Sequence, residues 1–143
     1  MAFDFIQKLP TPQETRELYP VPPRVAKIKE ERDKEIRKVF TGESDKFLAI
    51  IGPCSADNEE AVCDYVSRLV PVQEKIKDKV LIIPRIYTNK PRTTGEGYKG
   101  IMHQPDPEKN PGPLAGIIPL RLMHIRAIEE SGLTAADEML WPE

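Results

Sequence analysis

The fold class is decided by residues 47–55, which read FLAIIGPCS. Five apolar residues in a row that end at a Gly-Pro pair are typical of a short strand buried on both faces of a parallel sheet. A second run of this kind, Val80 to Ile83, ends at Pro84-Arg85. Helical patterns precede, separate and follow the two runs. This alternation predicts an α/β fold with a parallel sheet and right-handed crossovers, and its chemistry is expected at the carboxyl ends of the strands.

Three helices are predicted around these strands. The first covers 24–40, where the charged stretch from Lys29 to Lys38 is typical of a solvated helix face. The second follows Asp57, which with Glu60 three residues on resembles a capping box. Pro71 is expected to kink or end that helix, because an interior proline costs about 3 kcal/mol.

The third helix covers 117–131, with core positions at Ile118, Leu122, Ile125 and Ile128 and Gly132 as the cap after its end. Ala135 to Leu140 is predicted to form a third strand. The proline-rich residues 1–23 predict an extended arm, and 88–113 predict a long loop of the kind that usually carries function. Residues 1–45 are therefore interpreted as an N-terminal extension, and 46–143 as strand–helix units.

Composition excludes several classes of protein. The chain has 143 residues, is 39% hydrophobic and 31% charged, and carries a formal net charge of -2. These values fit a folded soluble protein and give no sign of attraction to nucleic acid or to an acidic membrane. No apolar run reaches the roughly 20 residues that span a bilayer. No secretion signal is visible at the N-terminus, and two cysteines are too few for a disulfide scaffold, so a cytoplasmic location is expected.

Candidate site residues follow the two strands. Cys54 comes directly after the first strand, where a thiolate could bind a metal or act as a nucleophile. The alternative is a buried structural cysteine, which is the interpretation given to Cys63. Arg85 comes directly after the second strand and must reach solvent, a carboxylate or a bound anion, since a buried cation is not left unpaired.

The predicted loop carries a third group of candidates. Lys90-Pro91-Arg92-Thr93-Thr94 places two cations and two hydroxyls together, and glycines follow at 95, 97 and 100. Such a loop can surround a phosphate. The alternative is a solvated basic loop. His103 and His124 have no partner at metal-ligand spacing and are interpreted as non-catalytic.

Taken together, these motifs resemble the class I 3-deoxy-arabino-heptulosonate-7-phosphate (DAHP) synthase family. The matching segments occur in the family's order from about residue 24 onward and read IIGPCS at 50–55, PRIY at 84–87, KPRTT at 90–94, YKG at 98–100 and SGLTAADE at 131–138. The KPRTT loop is the specific part. The sister family that condenses phosphoenolpyruvate with arabinose 5-phosphate has a different loop at this place.

The resemblance implies the N-terminal part of a (β/α)8 barrel, also called a TIM barrel, that condenses phosphoenolpyruvate with erythrose 4-phosphate and releases phosphate. It implies a divalent metal cation of the manganese, iron, cobalt or zinc type, and homo-oligomers in the full-length protein. Cys54 resembles a metal ligand, and Arg85 a ligand of the phosphoenolpyruvate phosphate. Lys90 resembles the catalytic lysine between the two substrates. The resemblance also implies further substrate-binding positions at Pro91, Arg92, Thr93 and Glu138.

The length of the chain indicates that it does not carry out the family's condensation by itself. A barrel of this type needs about 250 residues, and the family's other metal ligands come from later strands. A truncated chain with about three barrel strands, inactive alone, is therefore expected. Two alternatives stay open: a sister phosphoenolpyruvate-dependent aldol synthase, and a non-catalytic binding or assembly fragment.

Overall fold

The computed structural model describes residues 8–90, 97–105 and 113–138. In chain order the elements are α1 (Pro12–Leu18), α2 (Pro23–Phe40), β1 (Phe47–Ile51), α3 (Glu59–Ile76), β2 (Val80–Pro84) and α4 (Pro113–Ser131). The chain is a mixed helix–strand structure with a two-stranded parallel sheet, in which Phe47 pairs with Val80 and Ile51 with Pro84. No described helix is long and apolar enough to cross a membrane.

The extended arm predicted for residues 1–23 is wrong for its second half, because α1 lies there. Thr11 caps this helix: its Oγ1 accepts from the backbone N–H of Glu14, while the Glu14 carboxylate accepts from the backbone N–H of Thr11. Pro12 fits the first turn, where its missing N–H would have no helical partner in any case. Residues 1–7 lie outside the described part of the chain.

Helix α3 runs through Pro71, so the predicted end of the helix at this proline is wrong. A proline removes the N–H that would bond the carbonyl four residues earlier, here that of Ser67. Ser67 and Pro71 are both exposed, so solvent can hydrate that carbonyl. The cap is also one residue later than predicted, since Asn58 Oδ1 accepts from the backbone N–H of Ala61.

The core lies between α3, α4 and β2. Its larger cluster contains Val62, Cys63 and Val66 of α3, Ile86 and Ile101 of the loops, and Met123 and Ala127 of α4. The face predicted for α4 is therefore wrong: Leu122 is exposed, and Ile118, Ile125 and Ile128 are only partly buried. Apolar residues of α4 occur on all sides of the helix, so the sequence pattern does not identify the side that faces the core. Gly132 follows α4 with φ +70°, as expected of a C-terminal cap.

The two edges of the sheet differ. The outer edge of β2 is closed by side chains: Gln73 donates to Val80 O at 2.9 Å and accepts from Ile82 N at 2.7 Å. Arg32 of α2, whose side chain is only 12% exposed, donates to Ile82 O at 2.7 Å.

The two strands also differ in the burial of their side chains. Phe47 on β1 is 77% exposed, whereas the side chains of β2 are almost all buried. The predicted burial on both faces of the sheet is therefore confirmed for β2 and wrong for β1 in the described residues.

The predicted third strand is reduced to one bridge in the described residues. Ala136 pairs with Arg85 in parallel, its N–H donating to Pro84 O and its carbonyl accepting from Ile86 N, both at 2.8 Å. Residues 139 and 140 of the predicted strand lie outside the described part. This bridge nevertheless places the segment after α4 beside the end of β2.

Candidate active site

The carboxyl ends of β1 and β2 meet at Gly52 and Arg85. Arg85 N donates to Ile51 O at 2.7 Å, which continues the sheet by one bond. A Cβ on Gly52 would lie 1.9 Å from Arg85 O, so only glycine allows the two backbones to approach this closely. Pro53 and Cys54 follow, and the chain therefore leaves β1 directly over the end of β2.

Arg85 is bound by a carboxylate and a carbonyl. Its Nε donates to Glu138 Oε1 at 2.6 Å, its Nη2 forms an ion pair with the same carboxylate, and its Nη1 donates to Pro53 O at 2.9 Å. A guanidinium has five N–H donors, so these contacts do not use all of them. The structure thus brings together Arg85 and Glu138, two of the predicted site residues.

Tyr87 contacts both cations of the site through its ring. The Arg85 guanidinium is 4.3 Å and Lys90 Nζ 5.9 Å from the centre of its ring. Burial, and after it the charge of Glu138, raises the pKa of the Tyr87 hydroxyl. Sequence reasoning assigned this residue no role, although residues two apart on an extended chain point to the same side, which was the available signal.

Lys90 contacts Cys54. Its Nζ lies 2.6 Å from Cys54 Sγ and donates to Cys54 O at 3.3 Å. Cys54 is exposed, so the buried structural alternative is wrong for this cysteine. Four predicted site residues, namely Cys54, Arg85, Lys90 and Glu138, therefore lie at one end of the sheet.

The base of the long loop is held by backbone bonds. Lys90 N donates to Lys99 O at 2.9 Å, and Met102 N to Thr88 O at 3.1 Å. Gly100 adopts φ +94°, and a Cβ there would lie 2.1 Å from Thr88 O. Between these clamped ends, the predicted substrate-binding residues Pro91, Arg92 and Thr93 lie outside the described residues.

Asp137 anchors the start of this loop to α4. Its carboxylate accepts from Thr88 N at 3.1 Å and from the Thr88 hydroxyl, and it lies 3.6 Å from His124 Nε2. Burial acts to raise the pKa of Asp137, but the contact with His124 and the hydrogen bonds from Thr88 and Glu138 outweigh it, so this pKa lies below its ordinary value. Sequence reasoning missed Asp137, although it directly precedes Glu138.

His103 and Cys63 each have local partners. His103 Nε2 lies 2.9 Å from Asn89 Oδ1, within the same loop region. Cys63 packs in the core and is 3% exposed, which confirms its structural interpretation. Burial also raises the pKa of its thiol.

The residues described do not by themselves form a metal centre. Across 8–90, 97–105 and 113–138, no group of three or more His, Cys, Asp or Glu side chains could hold a metal ion. A catalytic metal usually needs three protein ligands, and Cys54 supplies one. Its sulfur is, moreover, in contact with the cationic Lys90, which would have to move away from a bound metal.

Comparison with known proteins places these features in a family. The family model described as the DAHP synthetase I family matches residues 24–110. The Phe-sensitive phospho-2-dehydro-3-deoxyheptonate aldolase of Escherichia coli K12 is 34% identical over 135 residues, which are 94% of this chain and 38% of that protein. The phospho-2-dehydro-3-deoxyheptonate aldolase of Haemophilus influenzae is 39% identical over 89 residues, which are 62% of this chain and 24% of that protein.

A solved structure agrees with the sequence matches. The phospho-2-dehydro-3-deoxyheptonate aldolase from Francisella tularensis SCHU S4 superimposes with a TM-score of 0.85 at 26% identity, covering 97% of this chain and 40% of that one. The chain thus spans well under half the length of these relatives. On the family match and the shared fold, the chain belongs to the DAHP synthetase I family.

Proposed function

We propose that this chain supplies the first part of the active site of a 3-deoxy-7-phosphoheptulonate synthase, the transferase that condenses phosphoenolpyruvate with erythrose 4-phosphate and releases phosphate. The observation that carries the proposal is the cluster of Arg85, Lys90, Cys54 and Glu138 at one end of the sheet, in a chain that belongs to this family. The rest of the fold would then be a (β/α)8 barrel, with 1–45 as its extension and 46–143 as its first units.

Arg85 would bind the phosphate of phosphoenolpyruvate. Contacts with Glu138 and with Pro53 O hold the guanidinium in place. Its remaining N–H groups are available to a phosphate, the kind of anion that arginine is suited to bind. Glu138 would in this way act on the substrate through Arg85, by holding it in place.

Lys90 would act on the reacting carbonyl of erythrose 4-phosphate as a hydrogen-bond or proton donor. An ammonium can donate to the alkoxide that develops when the aldehyde carbon is attacked, or protonate it, and general-acid catalysis contributes typically about 10²–10⁴-fold. The clamp between Lys90 and Lys99 holds this end of the loop. Arg92 and Thr93 would hold the phosphate of erythrose 4-phosphate.

Cys54 would supply one of several metal ligands, and a metal bound there would polarise the aldehyde. Because the described residues contain no group of three or more candidate metal ligands, we expect the 143 residues alone to be inactive. The full-length protein would be a homo-oligomer, as the resemblance implies, and its location would be the cytoplasm.

A phosphate-release assay tests the proposal. The chain would be assayed with phosphoenolpyruvate, erythrose 4-phosphate and manganese, alone and mixed with the C-terminal remainder of the Escherichia coli Phe-sensitive relative. We expect no release from the chain alone and measurable release from the mixture.

Two other outcomes would decide against the proposal. Release with arabinose 5-phosphate in place of erythrose 4-phosphate would identify the sister synthase. A silent mixture in which the two pieces nevertheless associate would favour a non-catalytic assembly fragment, a possibility suggested by the exposed apolar side chain of Phe47.

A further inference from the structure

The two cysteines of the chain differ in exposure and in the groups around them. Cys54 is exposed and its sulfur is 2.6 Å from the Lys90 nitrogen. Cys63 is buried in the core among apolar side chains. Peroxides react with cysteines that they can reach, so Cys54 is the one open to attack and Cys63 is an internal reference.

We propose that Cys54 and Lys90 form a covalent sulfur–nitrogen bridge, a sulfenamide, when the protein meets a hydroperoxide such as hydrogen peroxide. Sulfenic acids condense with a neighbouring thiol or nitrogen when one is within reach. Lys90 Nζ is in direct contact with Sγ, so the nitrogen needs almost no movement to attack it. Within the described residues, Cys63 has no comparable amine contact.

The reaction balances in two steps. Hydrogen peroxide transfers one oxygen to Sγ, which gives the Cys54 sulfenic acid and one water. Lys90 Nζ, after releasing its ammonium proton to solvent, then attacks the sulfur: the S–N bond forms, the S–O bond breaks, and the hydroxyl leaves as a second water with a proton taken from the nitrogen. Sulfur is oxidised by two electrons, peroxide is reduced to water, and a thiol can reverse the bridge by attacking the sulfur.

Two features of the fold hold the pair together. The backbone bonds from Lys90 to Lys99 and from Met102 to Thr88 clamp the loop that carries the lysine. Gly52, whose close approach to Arg85 admits no side chain, places Cys54 over the same end of the sheet. The bridge requires only this geometry. If the proposed function also holds, one oxidation would block both the lysine and the thiol of the site.

The experiment is mass spectrometry of the chain after treatment with hydrogen peroxide, in a Cys63→Ala background that excludes an internal disulfide. We expect a product lighter by about 2 Da, from the two hydrogens lost, that dithiothreitol returns to its starting mass. Cleavage before aspartates gives peptides 45–56 and 78–105, and these should be found joined through Cys54 and Lys90.

Matched variants decide the result. Lys90→Gln should lower the bridged fraction at least tenfold and leave Cys54 as sulfinic acid, whereas Lys99→Gln, in the same loop, should bridge as the parent does. If the chain is unfolded in urea before peroxide is added, the bridge should not form. Oxidation of Cys54 without any bridge in the folded parent, or equal bridging to Lys79 or Lys99, would overturn the proposal. Neither result bears on the proposed function, which the phosphate-release assay tests separately.

Discussion

Arg85 Nε donates to Glu138 Oε1 at 2.6 Å, although the two residues are 53 positions apart in the chain. The bond joins the end of β2 to the segment that follows α4, and the bridge between Arg85 and Ala136 lies beside it. The same arginine stacks on Tyr87, whose ring also faces Lys90. The orientation of the arginine therefore depends on how α4 and its following segment dock.

The Arg85–Glu138 pair should contribute little to stability. Both side chains are partly exposed, and solvent screens such pairs, which typically contribute about 0.2–1 kcal/mol. We expect a double-mutant cycle of Arg85→Ala and Glu138→Ala, measured by urea unfolding, to give a coupling free energy in this range. A coupling of several kcal/mol would show that the pair is structural rather than a means of orienting Arg85.

Gln73 should matter far more than an ordinary glutamine on a helix. Its amide satisfies Val80 O and Ile82 N, and Ile82 is 1% exposed. An unsatisfied buried backbone group costs about 1–3 kcal/mol, so Gln73→Ala should lower the free energy of unfolding by about 2–4 kcal/mol. Gln13→Ala, which removes a single exposed bond to Glu17, is the control and should change it by less than about 0.5 kcal/mol. Equal effects of the two variants would refute this role for Gln73.

Gly100→Ala should disrupt the base of the loop, both through its positive φ and through a clash of the new Cβ. Gly42→Ala separates these two causes. Both glycines have positive φ, but a Cβ on Gly100 would meet Thr88 O at 2.1 Å, whereas one on Gly42 meets nothing within 4 Å. We expect Gly42→Ala to cost about 1 kcal/mol of unfolding free energy from backbone strain alone, and Gly100→Ala clearly more. Hydrogen exchange at the amides of Lys90 and Met102 should become faster in Gly100→Ala only. Unchanged exchange there would mean that the loop tolerates the clash.

Asp137 should make the free energy of unfolding decrease at acidic pH. A carboxyl whose pKa is depressed by folding contributes stability that is complete above its ordinary pKa, here 3.8, and is lost as the pH falls through the folded value. The unfolding free energy of the parent should therefore fall below about pH 4, and Asp137→Asn should fall less steeply while being less stable at neutral pH. Asp64→Asn, which removes an exposed pair with Arg68, serves as the control. Parallel curves for the parent and Asp137→Asn would contradict the assignment.

Much of the fold could be predicted from local pattern. The apolar runs gave both strands, and the helix from 24 to 40 and the glycine cap at 132 followed from periodicity and cap chemistry. The errors have local causes as well. The Thr11–Glu14 capping box outweighed the proline content of the arm, and exposure allowed Pro71 to remain inside α3.

The site was predictable to the extent that parallel strands end together. Cys54 and Arg85 follow neighbouring strands, so their proximity could be expected. The positions of Gln73 on the β2 edge and of Asp137 against Thr88 could not, because each depends on how a helix docks on the sheet rather than on any spacing in the sequence.

The most direct measurement is the condensation activity of a chimera in which this chain replaces the matching 135-residue segment of the Escherichia coli Phe-sensitive relative. We expect phosphate release from phosphoenolpyruvate only when erythrose 4-phosphate is present. Lys90→Ala should lower kcat by about 10²-fold or more, Arg85→Ala should raise KM for phosphoenolpyruvate, and the exposed Lys34→Ala should change neither. A folded chimera without activity, or one in which Lys90→Ala is as active as the parent, would contradict the account.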